Sequence, residues 1–265
     1  MRLNVDGSKS IYFEHHQRGG RPIVLVHGTW VTAHCWDTVL SSLLDAGHDV
    51  VTLDLRGHGR SDADFDDLAI DTLGRDVAEL VRHLGLHGVV LNGWSLGGAV
   101  VVAAARDLGT DVAGIVLTSA ATPRYTPADG WPYGIPAEGI DALLTALADN
   151  RALTFRSIAA GVFAKPAGQD VVDAIWQQFM LSSPRADDCL RSLAVIDQRS
   201  IAAELSCPVL LCVGTGDAGV IDWVRASRRI YKDVALVEFE GAGHAPFLED
   251  VAAYRRELLR FLAEL

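Results

Sequence analysis

Val89-Val90-Leu91-Asn92-Gly93-Trp94-Ser95-Leu96-Gly97-Gly98 joins an apolar run to a serine flanked by glycines. Val89–Leu91 is a short run apolar on both faces, the pattern of a buried parallel strand. Leu96–Leu108, rich in Ala and Val, reads as a helix. Between them lies a G-x-S-x-G sequence, with Ser95 on a very tight strand-to-helix turn. Side chains two residues either side of such a serine would collide, and glycine at 93 and 97 removes them. The turn exposes Oγ at the carboxyl end of the sheet, beside a helix amino terminus whose dipole favours developing negative charge.

The same alternation recurs on either side of this stretch. Leu3–Val5 and Ile11–Glu14, joined through Asp6-Gly7-Ser8, predict a hairpin. Ile23–Val26 is a buried strand, His34–Ala46 a helix ended by Gly47, Asp49–Leu53 a strand and Asp71–Leu84 a helix. Val112–Thr118, Cys207–Val213 and Val234–Phe239 are further strands, with helices over 222–231 and Val251–Leu262. Strand–helix alternation of this kind builds a mostly parallel central sheet flanked by helices. The rhythm breaks over 120–205, where helical segments near 140–148, 151–159 and 171–180 are punctuated by six prolines, with no strand among them. The expected organisation is one α/β core, residues 1–119 and 206–265, with a helical lid inserted at 120–205.

A serine hydroxyl is inert without a base and a group to orient that base. Of the nine histidines, His244 lies in Gly241-Ala242-Gly243-His244-Ala245-Pro246, after the last strand and therefore at the same carboxyl edge as Ser95. His83 and His87 are separated by the helix breaker Gly85 and lack a third ligand, so no metal site is expected. Gly214-Thr215-Gly216-Asp217 follows the strand ending at Val213. Asp217 can there accept the His244 Nδ1 proton and hold the productive tautomer; Asp222, its nearest rival, falls on the following helix. The order Ser95, Asp217, His244 suits nucleophile, acid and base in this architecture. Two backbone amides must also face the oxyanion. Leu96 N–H supplies one, and Thr29 N–H, in the loop His27-Gly28-Thr29-Trp30, supplies the other. Trp30 either projects into the site or packs beside it.

Together with Asp54-Leu55-Arg56-Gly57-His58-Gly59-Arg60-Ser61, these residues resemble the α/β-hydrolase fold superfamily along nearly the whole chain. More narrowly, Trp131-Pro132-Tyr133-Gly134-Ile135-Pro136 and the run 197–217 are similar to the bacterial arylesterase and cofactor-free (non-haem) haloperoxidase/perhydrolase group. In that group an aromatic residue often follows the early His-Gly; here Thr29 does, with Trp30 one place later. The resemblance implies the α/β-hydrolase fold, a Ser-His-Asp triad and no cofactor. A serine at 95 separates the chain from the dehalogenase and epoxide hydrolase branches, which use aspartate.

Composition narrows the function. The 265 residues carry a formal net charge of −11, which argues against general nucleic-acid binding. No apolar run approaches the ~18 residues of a membrane span, and the polar first ten residues carry no signal peptide, so a cytoplasmic protein with no membrane partner is expected. The four cysteines form no C-x-x-C pair and read as buried thiols. Seven of the chain's 19 aromatic residues fall in the insertion, no enrichment, so most are expected to be its own core. Trp30, Trp94, Trp131, Phe163 and Trp176 are the candidate substrate contacts. The expected function is hydrolysis of small to medium apolar carboxylic esters or lactones through an acyl-enzyme on Ser95, with no metal and no organic cofactor; a homo-oligomer is possible. The alternatives are a cofactor-free oxidoreductase, perhydrolase or lyase using the His244–Asp217 pair, and a slow-turnover receptor-like binding protein.

Overall fold

The apolar runs assemble into one eight-stranded sheet in the computed structural model, which describes all 265 residues. The strands are β1 (Arg2–Asp6), β2 (Lys9–His16), β3 (Pro22–Val26), β4 (Asp49–Asp54), β5 (Val89–Trp94), β6 (Val112–Thr118), β7 (Val209–Gly214) and β8 (Val234–Phe239), in spatial order β1-β2-β4-β3-β5-β6-β7-β8. β1 and β2 are antiparallel to their neighbours and every pairing from β4 to β8 is parallel. The near-continuous apolar character of β3, β5 and β7 follows from burial on both faces. All the parallel strands point the same way, so the loops after β3, β5, β6, β7 and β8 emerge at one edge.

The crossover helices α1 (Asp37–Asp45), α2 (Ile70–His83) and α3 (Leu96–Leu108) separate the first strands. α2 packs closely on α3: a Cβ on Gly74 would collide with Ala103. Between β6 and β7 the chain runs through α4 (Ala137–Gly161), α5 (Gln169–Met180), α6 (Asp188–Val195) and the short α7 (Arg199–Glu204), and α8 (Val220–Ser227), α9 (Pro246–Glu249) and α10 (Val251–Glu264) complete the fold. The two helical segments expected at 140–148 and 151–159 are halves of α4. Its break falls at Asn150 (φ −152°, ψ 82°), whose Oδ1 accepts the Leu153 N–H at 3.1 Å and so caps the second half. The helix expected over 222–231 instead starts at Val220 and stops at Ser227, because Arg229 and Ile230 donate to Ala226 and Ser227 in tight i→i−3 turns. Cys35, Cys189 and Cys212 are buried free thiols, whereas Cys207 is only half-buried. No helix is long and apolar enough to cross a membrane.

The turn after β4 buries His58 completely. Its Nδ1–H donates to the Arg56 carbonyl at 2.8 Å, its Nε2 has no partner, and its ring centroid lies 5.0 Å from that of His27. Burial, reinforced by His27, pushes its pKa from 6.5 down to about 3. As the pH drops below 6.5 the unfolded chain takes up a proton that the folded chain refuses, so stability falls towards acid. Between pH 6.5 and 5 this one imidazole should remove about 2 kcal/mol. Urea denaturation of wild type against His58→Asn, whose amide can still donate to Arg56, is expected to show a flatter pH dependence in the variant. Equal slopes would contradict a buried neutral His58.

Candidate active site

Ser95 sits at the junction of β5 and α3 with φ 53° and ψ −117°, a conformation that is strained for a residue with a side chain. The surrounding backbone holds it there. Ser95 N–H donates to Thr118 O at 3.0 Å, and its carbonyl accepts from Ala121 N–H at 2.8 Å and Gly98 N–H at 3.0 Å. A Cβ on Gly97 would run into the carbonyl oxygens of Val26 and His27, and one on Gly93 into the Gly97 carbonyl. The glycines therefore permit close backbone contact as well as the turn itself.

The loops after β7 and β8 bring Asp217 and His244 together, with His244 Nδ1 2.9 Å from Asp217 Oδ2. Asp217 is buried, and its N–H donates to Gly214 O at 3.1 Å. Asp222 is exposed on α8. Four hydrogen bonds hold His244 and its loop. His244 N–H donates to Val162 O at 2.8 Å, Trp94 Nε1–H donates to His244 O at 2.8 Å, and the Glu249 carboxylate accepts Gly243 N–H at 2.5 Å and Ala164 N–H at 3.1 Å. Glu249 thus ties the histidine loop to the segment leaving α4. It lies five residues beyond His244, at the end of α9, and sequence reasoning passed over it.

The loop after β3 is held from both sides. On the core side His27, fully buried, donates Nδ1–H to Gly28 O at 2.7 Å and accepts Leu55 N–H on Nε2 at 2.9 Å. Burial lowers its pKa, in keeping with this neutral tautomer. On the far side Trp30, at φ 64°, donates Nε1–H to Asp187 Oδ1 at 2.9 Å, and Asp187 Oδ2 accepts from Arg151 Nη1 at 2.7 Å. The Thr32 N–H and Oγ1 both reach Gln178 Oε1 at 3.2 Å. No turn or loop hydrogen bond uses Thr29 N–H or Leu96 N–H, and Leu96, the first residue of α3, has no acceptor within its own helix.

Two cavities meet at Ser95 and His244. One of about 160 Å³ is lined by Thr29, Trp30, Trp94, Leu143, Phe179 and Leu190 among others; the second, of about 240 Å³, reaches Asp217, Val220 and Trp223. Both are walled partly by the core and partly by the helices between β6 and β7. Trp30 both lines the first cavity and packs against Phe155 and Phe179, with ring centroids at 5.2 and 6.0 Å. Trp94 lines the same cavity and faces the His244 ring. The other three aromatic candidates lie away from Ser95. Trp131 is buried against Tyr133 and donates Nε1–H to Arg124 O, Trp176 donates to Ala152 O under the Arg156 guanidinium, and Phe163 borders a separate groove beside Lys165 and Glu240. The sequence locates an aromatic on the insertion but not the direction of its ring.

The family model described as the alpha/beta hydrolase family matches residues 23–257. The chain belongs to that family. This hydrolase is 32% identical over 267 residues to a non-heme chloroperoxidase of Streptomyces lividans, with 97% of each chain covered. It is 29% identical over 252 residues to a bifunctional esterase/perhydrolase of Acinetobacter calcoaceticus, covering 91% of each. These relatives place it in the haloperoxidase–perhydrolase group. Its fold superimposes on an esterase of Exiguobacterium antarcticum with a TM-score of 0.92 at 24% identity, covering 96% of each chain. With an esterase of Rhodococcus sp. the TM-score is 0.87 at 26% identity, covering 100% of this chain and 98% of the other.

Asp187 carries both the Trp30 indole and the Arg151 guanidinium, so its removal strands two donors. Asp187→Ala is expected to cost about 2–4 kcal/mol in urea denaturation. Asp187→Asn, which can still accept from Trp30, should cost less. An Asp187→Ala protein as stable as wild type would show that the network does not hold the loop.

Proposed function

We propose that this hydrolase cleaves small to medium carboxylic esters or lactones through an acyl-enzyme on Ser95. The observation that carries the reading is the 2.9 Å contact of His244 Nδ1 with Asp217 Oδ2, on loops that emerge beside the strained Ser95 turn. With Nδ1–H donated to Asp217, Nε2 is left as the base. His244 takes the Ser95 proton as Oγ attacks the carbonyl carbon, then returns it to the leaving alcohol oxygen. The Thr29 and Leu96 amides, both without competing partners, hold the oxyanion. Water then attacks the acyl carbon, giving a proton to His244, which passes it to Ser95 Oγ as the acyl–Oγ bond breaks and the carboxylic acid leaves.

Residues 120–205 serve in this reading as a cap domain on a core of residues 1–119 and 206–265. The support is that Leu143, Ile158, Phe179 and Leu190 of this segment border the cavity at Ser95. An apolar substrate suits such walls.

The likeness to a chloroperoxidase and to an esterase/perhydrolase favours a second acceptor for the same acyl-enzyme, hydrogen peroxide. Its oxygen would add to the acyl carbon as His244 takes its proton, and cleavage of the acyl–Oγ bond, with that proton passing to Ser95 Oγ, would release a peracid.

Ser95→Ala is expected to lower p-nitrophenyl butyrate turnover by roughly three orders of magnitude or more, and Asp217→Asn by up to about 10⁴, with folding intact by circular dichroism. Near-wild-type turnover in Ser95→Ala would overturn the assignment.

A further inference from the structure

Five residues border both cavities at the nucleophile: Ser95, Tyr125, Ile158, Val162 and His244. Two belong to the hydrolytic cycle and two are aliphatic. Tyr125 is the one polar side chain at this junction that the cycle leaves without a role. Resting on the proposed ester hydrolysis, we infer that the Tyr125 hydroxyl selects substrates carrying a second hydrogen-bond acceptor, an ether, keto or amide oxygen, close to the scissile carbonyl.

The phenol is built into place. Its own carbonyl accepts Ile135 N–H at 2.9 Å. On one side Trp131 Nε1–H holds the Arg124 carbonyl at 3.1 Å, and on the other Thr126 Oγ1 donates to Ala194 O at 2.9 Å. The ring meets Trp223 edge-on with centroids 5.9 Å apart. The hydroxyl itself has no protein partner: burial alone acts on it, raising its pKa to about 12. It therefore stays a neutral donor at neutral and mildly alkaline pH. Tyr254, which is buried, differs in that it shares its hydroxyl with Thr118 at 2.8 Å and Asn92 at 3.3 Å. Tyr125 is half-buried and borders both cavities with no protein acceptor for its hydroxyl, so a ligand that displaces water from them leaves that donor unmatched at a cost. A site with such a group favours the ligand that satisfies it over the isostere that does not.

The test compares matched pairs of esters that differ by one oxygen. On the acyl side the pair is p-nitrophenyl methoxyacetate and p-nitrophenyl butyrate; on the alcohol side it is 2-methoxyethyl butyrate and butyl butyrate. The readout is the kcat/KM ratio within each pair, wild type divided by Tyr125→Phe, so that intrinsic reactivity cancels. At least one arm should show this double ratio near tenfold in favour of the ether, the strength of one neutral hydrogen bond, and the responding arm tells which side of the ester carries the acceptor. A double ratio near one in both arms overturns the inference, as does an equal loss for ether and alkyl members of a pair, which would mean that Tyr125 only shapes the cavity. Wild type that turns over none of the four esters would contradict the Ser95 reading itself.

Discussion

The amino end of α3 lies so close to the carboxyl end of β3 that no side chain fits between them, and the candidate site depends on that approach. Gly97 abuts the carbonyl oxygens of Val26 and His27, and Gly93 abuts Gly97. One steric constraint therefore sets two things together: the left-handed turn that presents Ser95 and the distance from Ser95 to the Gly28-Thr29 loop. A larger residue at either glycine would push the nucleophile and the proposed oxyanion amides apart, even with every polar group intact.

The polar framework around this contact divides by origin. Ser95, Asp217 and His244 stand on loops of the sheet edge, as expected where parallel strands end. Their supports come largely from elsewhere. Asp187 and Gln178, both between β6 and β7, hold the Trp30–Thr32 segment, and Val162 and Ala164 tie the His244 loop through its backbone and Glu249. The helices over the site thus share hydrogen bonds with both loops that would carry the chemistry. Changes in their packing should reach Thr29 and His244 before they reach the sheet.

Much of this was legible in the sequence, for reasons that differ by element. The central strands, such as Ile23–Val26 and Val209–Val213, announce themselves because burial on both faces leaves an apolar run, whereas the edge strand Val234–Phe239 is only partly buried and carries Glu238. The Gly93–Gly97 pattern announces Ser95 because the turn tolerates few alternatives. Asp217 and His244 follow from position alone, each in a Gly-rich loop after a strand. The supports were not legible, since they join residues far apart in the chain: Trp30 meets Asp187 across 157 positions and Ala164 meets Glu249 across 85. For the same reason Trp131 and Trp176, read as candidate pocket residues, turn out to brace backbone carbonyls of their own segment. Tyr125, which borders both cavities, carried no signal beyond its place in the insertion.

In the proposed chemistry Ser95 is an activated nucleophile and His244 activates it. Labelling with a fluorophosphonate probe, followed by mass spectrometry of the modified peptide, tests this most directly. A covalent adduct on Ser95 is expected in the wild-type protein, with its loss in His244→Ala. A well-folded wild type that takes no label, or a His244→Ala protein labelled at Ser95 as fast as wild type, would contradict it.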